Sequence, residues 1–553
     1  MVLPAAPLLL LGLVRTVGRG RPSTRSERGS PQPGVVGVHM RASAPGSPPA
    51  RVPRLPPGGG SGTWRAARRL HGRLHCDAQG MLPATGERHG SVRALGDRSR
   101  VTRVAWNARN VAGELRRLPL LGVLLLIPFH TLIVAHVLPE RLGVRLPVLA
   151  MWKEALLLTT FCAGTVATLT GRPTARSTPL DLSVLLFLAY ALLSVPFAPS
   201  SPAALYGVRN YGEAFVALAL AARFLPLSEE GIWRLGWGIL CVAVAISVWA
   251  IFQSTYLGPA FLLANGYGRD GALSASFFVS NFSFQRAIGT FGSPTVFGLY
   301  LAVVILVVTD IGRMRRAREA VWVLALGILV AALLATLSRS AVLGLLVGIG
   351  VRRWMFPQVQ PRVRSEARPL LLATGAALLV LASVSSYVTA LPQYLYRTLT
   401  LQDSSAQGHI RSVAETLEFV RHHPFGVGIG QAGPRALIYT GKLLNAESSV
   451  LTVAVDVGVI GSLLYWAMWA ATLVALRRAY VISSSAGAWT SAELCRGAFA
   501  AVCAAATACI VLPLNVEVEL MLVIFLLAGA ALASAREAGA RVAAPTRQAS
   551  HDA

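Results

Sequence analysis

The stretch Asn445-Ala446-Glu447-Ser448-Ser449-Val-Leu-Thr-Val-Ala-Val-Asp456-Val-Gly458-Val-Ile-Gly461 opens an apolar run directly after the longest polar segment between two such runs. Read as a helix, it separates Glu447 from Gly458 by eleven positions, close to three turns, so the two share one face. Glu447 then stands at a water boundary, with Gly458 roughly 16 Å deeper at about 1.5 Å per residue. Gly458 and Gly461 give that face a notch without side chains, where a second helix can pack closely. A titratable group at a membrane surface, backed by a tightly packed helix, suits chemistry on a substrate that is itself held by lipid.

Composition agrees with a membrane setting. Of 553 residues, 54% are hydrophobic and only 14% charged, and the mean hydropathy is +0.57. Apolar runs recur from about Pro119 to Ala535, each near the ~20 residues that cross a ~30 Å hydrocarbon core. The net charge of +26 does not point to nucleic acid, because 20 arginines against five acids precede Leu118. That head, rich in Pro, Gly, Ser and Arg, lacks the apolar surface to fold. It is expected as a disordered cytoplasmic extension over 1–117, with Met40 and Met81 as alternative starts. Met1 to Val14 are apolar, but no basic region precedes them, so a signal peptide is not expected. Of the six cysteines, Cys76 lies in the head, Cys162, Cys241, Cys503 and Cys509 lie in apolar runs, and Cys495 lies at the edge of one. None has metal-site spacing, and neither disulfide nor zinc is expected.

Hydropathy predicts about twelve spans: 119–138, 147–170, 179–197, 211–226, 235–257, 296–310, 319–337, 340–355, 369–390, 449–475, 496–513 and 518–535. The expected fold is therefore all-α, a polytopic integral membrane domain over 118–536 followed by a tail over 537–553. Alternate short loops carry the arginines: Arg172 and Arg176; Arg313, Arg315, Arg316 and Arg318; Arg352, Arg353, Arg362, Arg364 and Arg368; Arg477 and Arg478. Under the positive-inside rule these loops and both termini are cytoplasmic. Two long segments then face outward, Gly258–Pro294 and Leu391–Ser448. The second holds Ile410, Val413, Leu417 and Val420, the one-face pattern of a helix lying along the membrane.

Several polar residues near these outward segments are candidates for chemistry. Arg209, at the outer end of span four, either holds a phosphate or snorkels to headgroups. Arg286 precedes Gly289-Thr-Phe-Gly-Ser-Pro294, a turn whose backbone N–H groups suit an anion or simply introduce a helix. Arg339 interrupts the apolar stretch Val321–Val351 and, at bilayer depth, would cost about 2.5–3.5 kcal/mol, so a polar cavity or a partner is expected beside it. Arg411 leads into Pro424-Phe-Gly426-Val-Gly428-Ile-Gly430 and could equally pair with Glu415 on a solvated helix face. Lys153, Glu154, Glu213 and Asp456 are costly inside the membrane and read as structural, with Lys153 and Glu154 pairing to other helices. Asp456 is nine positions from Glu447, about half a turn out of phase with it. Nucleotide, zinc-protease and serine-hydrolase fingerprints are absent from the sequence.

Taken in order, these pieces resemble the O-antigen ligase and polymerase superfamily of bacterial envelope glycosyltransferases. The resemblance rests on Arg286 with Gly289-Thr-Phe-Gly-Ser-Pro294, Thr336-Leu-Ser-Arg339-Ser340, Arg411 ahead of the glycine run, and Glu447-Ser448-x9-Gly458-x-x-Gly461. It covers about Gln285 to Ala475, with a weaker likeness through Trp152-Lys-Glu154 and Tyr206-Gly-Val-Arg209. It implies a bacterial inner-membrane enzyme of about twelve helices with a large periplasmic loop, 391–448. The substrates implied are undecaprenyl-diphosphate-linked glycans among membrane lipids, with other assembly proteins such as a flippase or a chain-length regulator as partners. No metal, nucleotide or other cofactor is implied, and no nucleic acid.

One departure shifts the weight between activities. Ligases of the family carry histidine where this chain has Glu447, which favours a polymerase of exopolysaccharide, capsule or O-antigen over a ligase to lipid A core. The expected mechanism has Arg339, Arg286 and Arg411, together with Arg209, around the diphosphate, and Glu447 taking a proton from the acceptor hydroxyl. A rival of another class is a lipid-linked oligosaccharide flippase, which would place its key residues near the midplane rather than at the outer face.

Overall fold

The computed structural model describes residues 113–141, 147–170, 178–267, 275–279, 282–312, 319–356, 404–433 and 446–551, with isolated positions 372, 375, 396 and 400; all lie within the unit Arg88–Ala553. The helices in chain order are α1 (113–126), α2 (Trp152–Leu169), α3 (Pro179–Ser194), α4 (Ser201–Phe224), α5 (Glu229–Phe252) and α6 (Gly258–Ala264). Then come α7 (Pro294–Gly312), α8 (Glu319–Ala335), α9 (Arg339–Met355), α10 (Ser404–His422), α11 (Ser449–Ser485), α12 (Trp489–Cys509) and α13 (Val518–His551). A two-stranded antiparallel ribbon, Phe278–Val279 against Phe282–Gln285, is the one departure from helix and turn among the described residues.

Among the described residues, five helical segments are long and apolar enough to cross a membrane: Pro179–Phe197, Glu229–Ala264, Ser449–Ser485, Trp489–Cys509 and Val518–Val542. Pro294–Thr309 and Ala320–Ala335 are shorter apolar helices. The expected span 369–390 and most of the head lie outside the described residues, as does much of the loop 391–448. At the other end of the chain, helix continues through the expected tail to His551.

Polar punctuation sets the helix starts. Thr178 and Asp181 form a reciprocal cap ahead of Pro179, Ser200 caps α4 and Ser228 caps α5, and Ser338 caps α9. The Ser200 cap starts helix ten residues ahead of the expected span 211–226. Helix α4 begins at Ser201, so Arg209 lies two turns inside it rather than at its outer end.

Helix α13 is the centre of the packing, with 89% of its most apolar window buried against 22% for α3. Small residues let backbones approach, which matters where lipid removes the usual hydrophobic drive between helices. A Cβ on Gly344 would come within 2.9 Å of the Ala504 carbonyl oxygen, and one on Gly348 within 3.1 Å of that of Ala500. Rising numbers on α9 thus meet falling numbers on α12. The two run antiparallel, and Arg339 sits level with the end of α12 near Cys509.

That level is one end of the bundle, where Ser448 Oγ donates to the Cys509 carbonyl and Ser449 N–H to that of Leu512. The opposite end gathers Trp233, Trp237 and Trp322, with ring centroids 4.9–5.7 Å apart. Tryptophans clustered at one level suit a membrane–water interface.

Candidate functional site

The largest correction concerns the stretch that opened the sequence reading. Helix α11 is not continuous, because Gly458 takes φ +69° and breaks it. The break turns backbone groups outward, and the glycine run takes them up. Val427 N–H donates to Val455 O at 2.8 Å, Gly428 N–H to Asp456 O at 3.0 Å, and Val459 N–H to Pro424 O at 2.9 Å. The Gly458 notch is therefore filled by the glycine-rich loop. Gly461 does meet a helix, through the ring of Tyr190 on α3.

Asp456 secures the other side of that loop. It is buried, and its carboxylate accepts from Gly430 N–H at 3.0 Å, Ala432 N–H at 2.7 Å and the Tyr211 hydroxyl at 2.8 Å. Tyr211 in turn accepts from Asn515 Nδ2 at 2.8 Å. A buried carboxylate satisfied by several donors is a stable pin, so the structural reading of Asp456 stands with its partners now identified. Beside the loop lies an open cavity of about 600 Å³, lined by Tyr190, Ser194, Phe197, Phe425, Val427 and Asp456 among others.

Glu447 precedes the first turn of α11, and α10 holds it. Its backbone N–H donates to Ser412 Oγ at 3.3 Å, and its Oε2 lies 2.5 Å from His409 Nδ1. Its side chain is 31% exposed. The sequence reading missed His409 and Ser412, since the apolar periodicity that revealed α10 says nothing about its polar side. Ile410, Val413 and Leu417 are exposed on another face of α10.

The arginines divide. Arg339 is half-buried at the first position of α9. Arg286 reaches the same turn: its guanidinium donates to Thr336 O at 2.7 Å and Leu337 O at 3.5 Å, and to Ser276 O at 3.0 Å. Leu337, at φ +49°, is the non-glycine residue with left-handed backbone among the described residues, a conformation that costs roughly 1–2 kcal/mol. It aims carbonyls at Arg286 and lets Ser338 start α9. Arg411 projects from α10 away from Glu447, 82% exposed, and pairs with Glu415 at 2.8 Å. Arg209 is bound to Glu154 within a four-residue group, in which Lys153 also contacts Glu154 at 2.6 Å and Glu213 at 2.8 Å. Two cations face two carboxylates there, so Arg209 is compensated inside the protein. Among the described residues, no three His, Cys, Asp or Glu side chains are grouped to hold a metal ion.

Helices long and apolar enough to span a bilayer mark a membrane protein, with a glycine loop wedged into a broken helix and Arg339 and Glu447 towards one end of the bundle. Residues 324–466 match the family model described as O-Antigen ligase, which supports an O-antigen ligase/polymerase-like superfamily. The match runs from within α8 to Trp466 and so contains Arg339, Arg411, the glycine loop and Glu447, while Arg209 and Arg286 fall outside it. No curated protein matches the chain.

Proposed function

We propose that the chain is a membrane glycosyltransferase that polymerises undecaprenyl-diphosphate-linked repeat units of an exopolysaccharide, capsule or O-antigen at the periplasmic face of a bacterial inner membrane. The observation that carries this reading is Glu447, partly exposed and held by α10 at the same end of the bundle as Arg339, within the segment that matches the ligase family. In the proposed reaction, an acceptor sugar hydroxyl gives its proton to Glu447. The hydroxyl oxygen forms a bond to the anomeric carbon of the donor. The anomeric C–O bond to the diphosphate breaks, and its electron pair leaves on the diphosphate.

Fixed cations would stabilise that leaving charge without a metal. Arg339, half-buried at the start of α9 and within the matched segment, is assigned that role, and Arg286 shapes the same turn. Arg411 and Arg209 already hold carboxylates, and would reach the diphosphate only by exchanging them. The same arginine bias supports the orientation. Arg116 lies against Phe224 at the far end of α4, and Arg223, Arg352 and Arg353 close helices at that same end. Positive charge there suits a cytoplasmic face.

A ligase that transfers finished glycan to lipid A core is the second reading, favoured by the description of the matched family. The glycan profile of a deletion strain tests both. Loss of chain length with single repeat units still attached to lipid A supports the polymerase. Full-length polymer that no longer attaches to lipid A supports the ligase. Single units accumulating on the cytoplasmic side would instead point to a flippase and overturn both readings.

A further inference from the structure

We infer that the open cavity beside the glycine loop seats isoprene units of a polyprenyl-linked substrate, and so binds the lipid chain rather than the diphosphate or the sugar. The inference rests on the reading of the substrates as polyprenyl-linked. The cavity holds about 600 Å³, within the roughly 300–1,000 Å³ of sites that enclose organic ligands. One wall is the end of α3 and the turn after it, with Leu193, Ser194 and Phe197. The other is the glycine loop from Phe425 to Gly428, laid against α11 just before its break at Gly458.

The lining polar groups are already engaged. The Tyr190 hydroxyl donates to Val457 O at 3.0 Å, and the Ser194 hydroxyl to Ala191 O at 2.7 Å, within its own helix. The N–H groups of Gly426, Val427 and Gly428 are taken by the carbonyls of His423, Val455 and Asp456. Those donors have nothing left for a sugar or a phosphate. Among the described residues lining the cavity, the one charged side chain is Asp456, a carboxylate, which repels a diphosphate. Aromatic and aliphatic surface remains, and it suits hydrocarbon.

The setting gives that hydrocarbon a route. Helix α3 is the least buried of the five long apolar segments, at 22% of its most apolar window, so it borders lipid. Leu193, Phe197 and Phe425 are all exposed at the cavity, and a chain moving within the bilayer reaches them without crossing water. An acyl chain of ordinary phospholipid shares this chemistry. The substrate's chain is favoured by continuity with the proposed site. The loop wall follows directly from α10, whose Ser412 accepts from the backbone N–H of Glu447. Asp456 lies seven residues into α11, roughly 10 Å from its start at about 1.5 Å per residue. A chain seated there has its diphosphate towards the end of the bundle that carries Glu447 and Arg339.

The test uses the full-length chain in phosphatidylethanolamine–phosphatidylglycerol vesicles. The probe is undecaprenyl diphosphate with a diazirine on an isoprene unit near the diphosphate; a phosphatidylethanolamine with a diazirine in its acyl chain is the control. After irradiation, the undecaprenyl probe should label Leu193–Phe197 and Phe425–Val427, and excess unmodified undecaprenyl diphosphate should reduce that labelling about tenfold. The phospholipid probe should show no such competition. Ser194→Trp, which fills the cavity from α3, should cut the competed labelling about tenfold or more at an unchanged melting temperature. Val427→Trp does the same from the loop and serves if the first variant does not insert. Equal, uncompeted labelling by both probes would make the cavity a groove for ordinary lipid and overturn the inference, as would wild-type labelling in both tryptophan variants. Competed labelling confined to other parts of the chain would also overturn it while leaving the polyprenyl-linked substrate intact. Absence of competed labelling anywhere on the chain would remove that substrate as well.

Discussion

Gly426 and Gly458 meet backbone to backbone: a Cβ on Gly426 would overlap the Gly458 nitrogen, and one on Gly458 would overlap the Phe425 carbonyl. Both residues also have positive φ, +77° and +69°. Two independent reasons thus call for glycine at the point where the loop enters the broken helix. The contact is what ties the loop leading out of α10 to α11, and so ties the helix that holds Glu447 to the helix that follows it.

Gly458→Ala should therefore damage the fold rather than the chemistry. The left-handed conformation alone costs a side chain roughly 1–2 kcal/mol, and the overlap with Phe425 adds to it. A melting temperature lowered by several degrees in detergent, with faster proteolysis between His423 and Gly433, is expected. An unchanged melting temperature would mean that the helix can run straight through this position.

Orientation gives a second prediction. If arginines mark the cytoplasmic end, α10 lies outside, and Ser405→Cys in a background without the six native cysteines should react with an impermeant maleimide added to intact spheroplasts. A cysteine replacing Arg353 should react only after the membrane is opened. The reverse pattern would invert the topology and remove Glu447 from the face where the proposed substrate resides.

Much of the helical framework was legible because it is written in local signals. Apolar runs gave the helices, and caps such as Ser200 and Ser228 mark starts that hydropathy alone places several residues late. What sequence could not give was the partner of each polar residue. Asp456 lies half a turn from Glu447 on a straight helix, but the break at Gly458 and a loop more than twenty residues upstream decide what it binds. Arg286 reads like an anion ligand before a glycine turn, yet it spends hydrogen bonds on three backbone carbonyls because Leu337 turns two of them towards it. Contacts of this kind join segments far apart in the chain and leave no periodic trace.

Arg339 provides the third prediction. At the start of α9 a guanidinium can offer two parallel donors to a phosphate, which an ammonium cannot match. Arg339→Ala should remove most polymer, and Arg339→Lys should retain charge yet stay impaired, both with normal insertion. Polymer of wild-type length from the alanine variant would reduce Arg339 to a turn residue.

Glu447 carries the most consequential prediction. Two accounts explain a glutamate at this position. In the catalytic account its carboxylate accepts a proton; in the structural account it anchors α10 through His409 and Ser412. A helix-dipole contribution of ~0.3–1 kcal/mol favours a carboxylate near the start of α11 in either case. Glu447→Gln separates them, because glutamine keeps the size, the backbone N–H to Ser412 and an oxygen that can face His409, and loses only basicity. Under the structural account this variant folds and polymerises nearly as well as wild type. Under the catalytic account it folds normally and melts close to wild type, yet accumulates undecaprenyl-linked repeat units and makes little polymer, a loss of about 10²–10⁴-fold for a missing general base. The catalytic account is the one proposed here, and near-normal polymer from a well-expressed Glu447→Gln variant would end it.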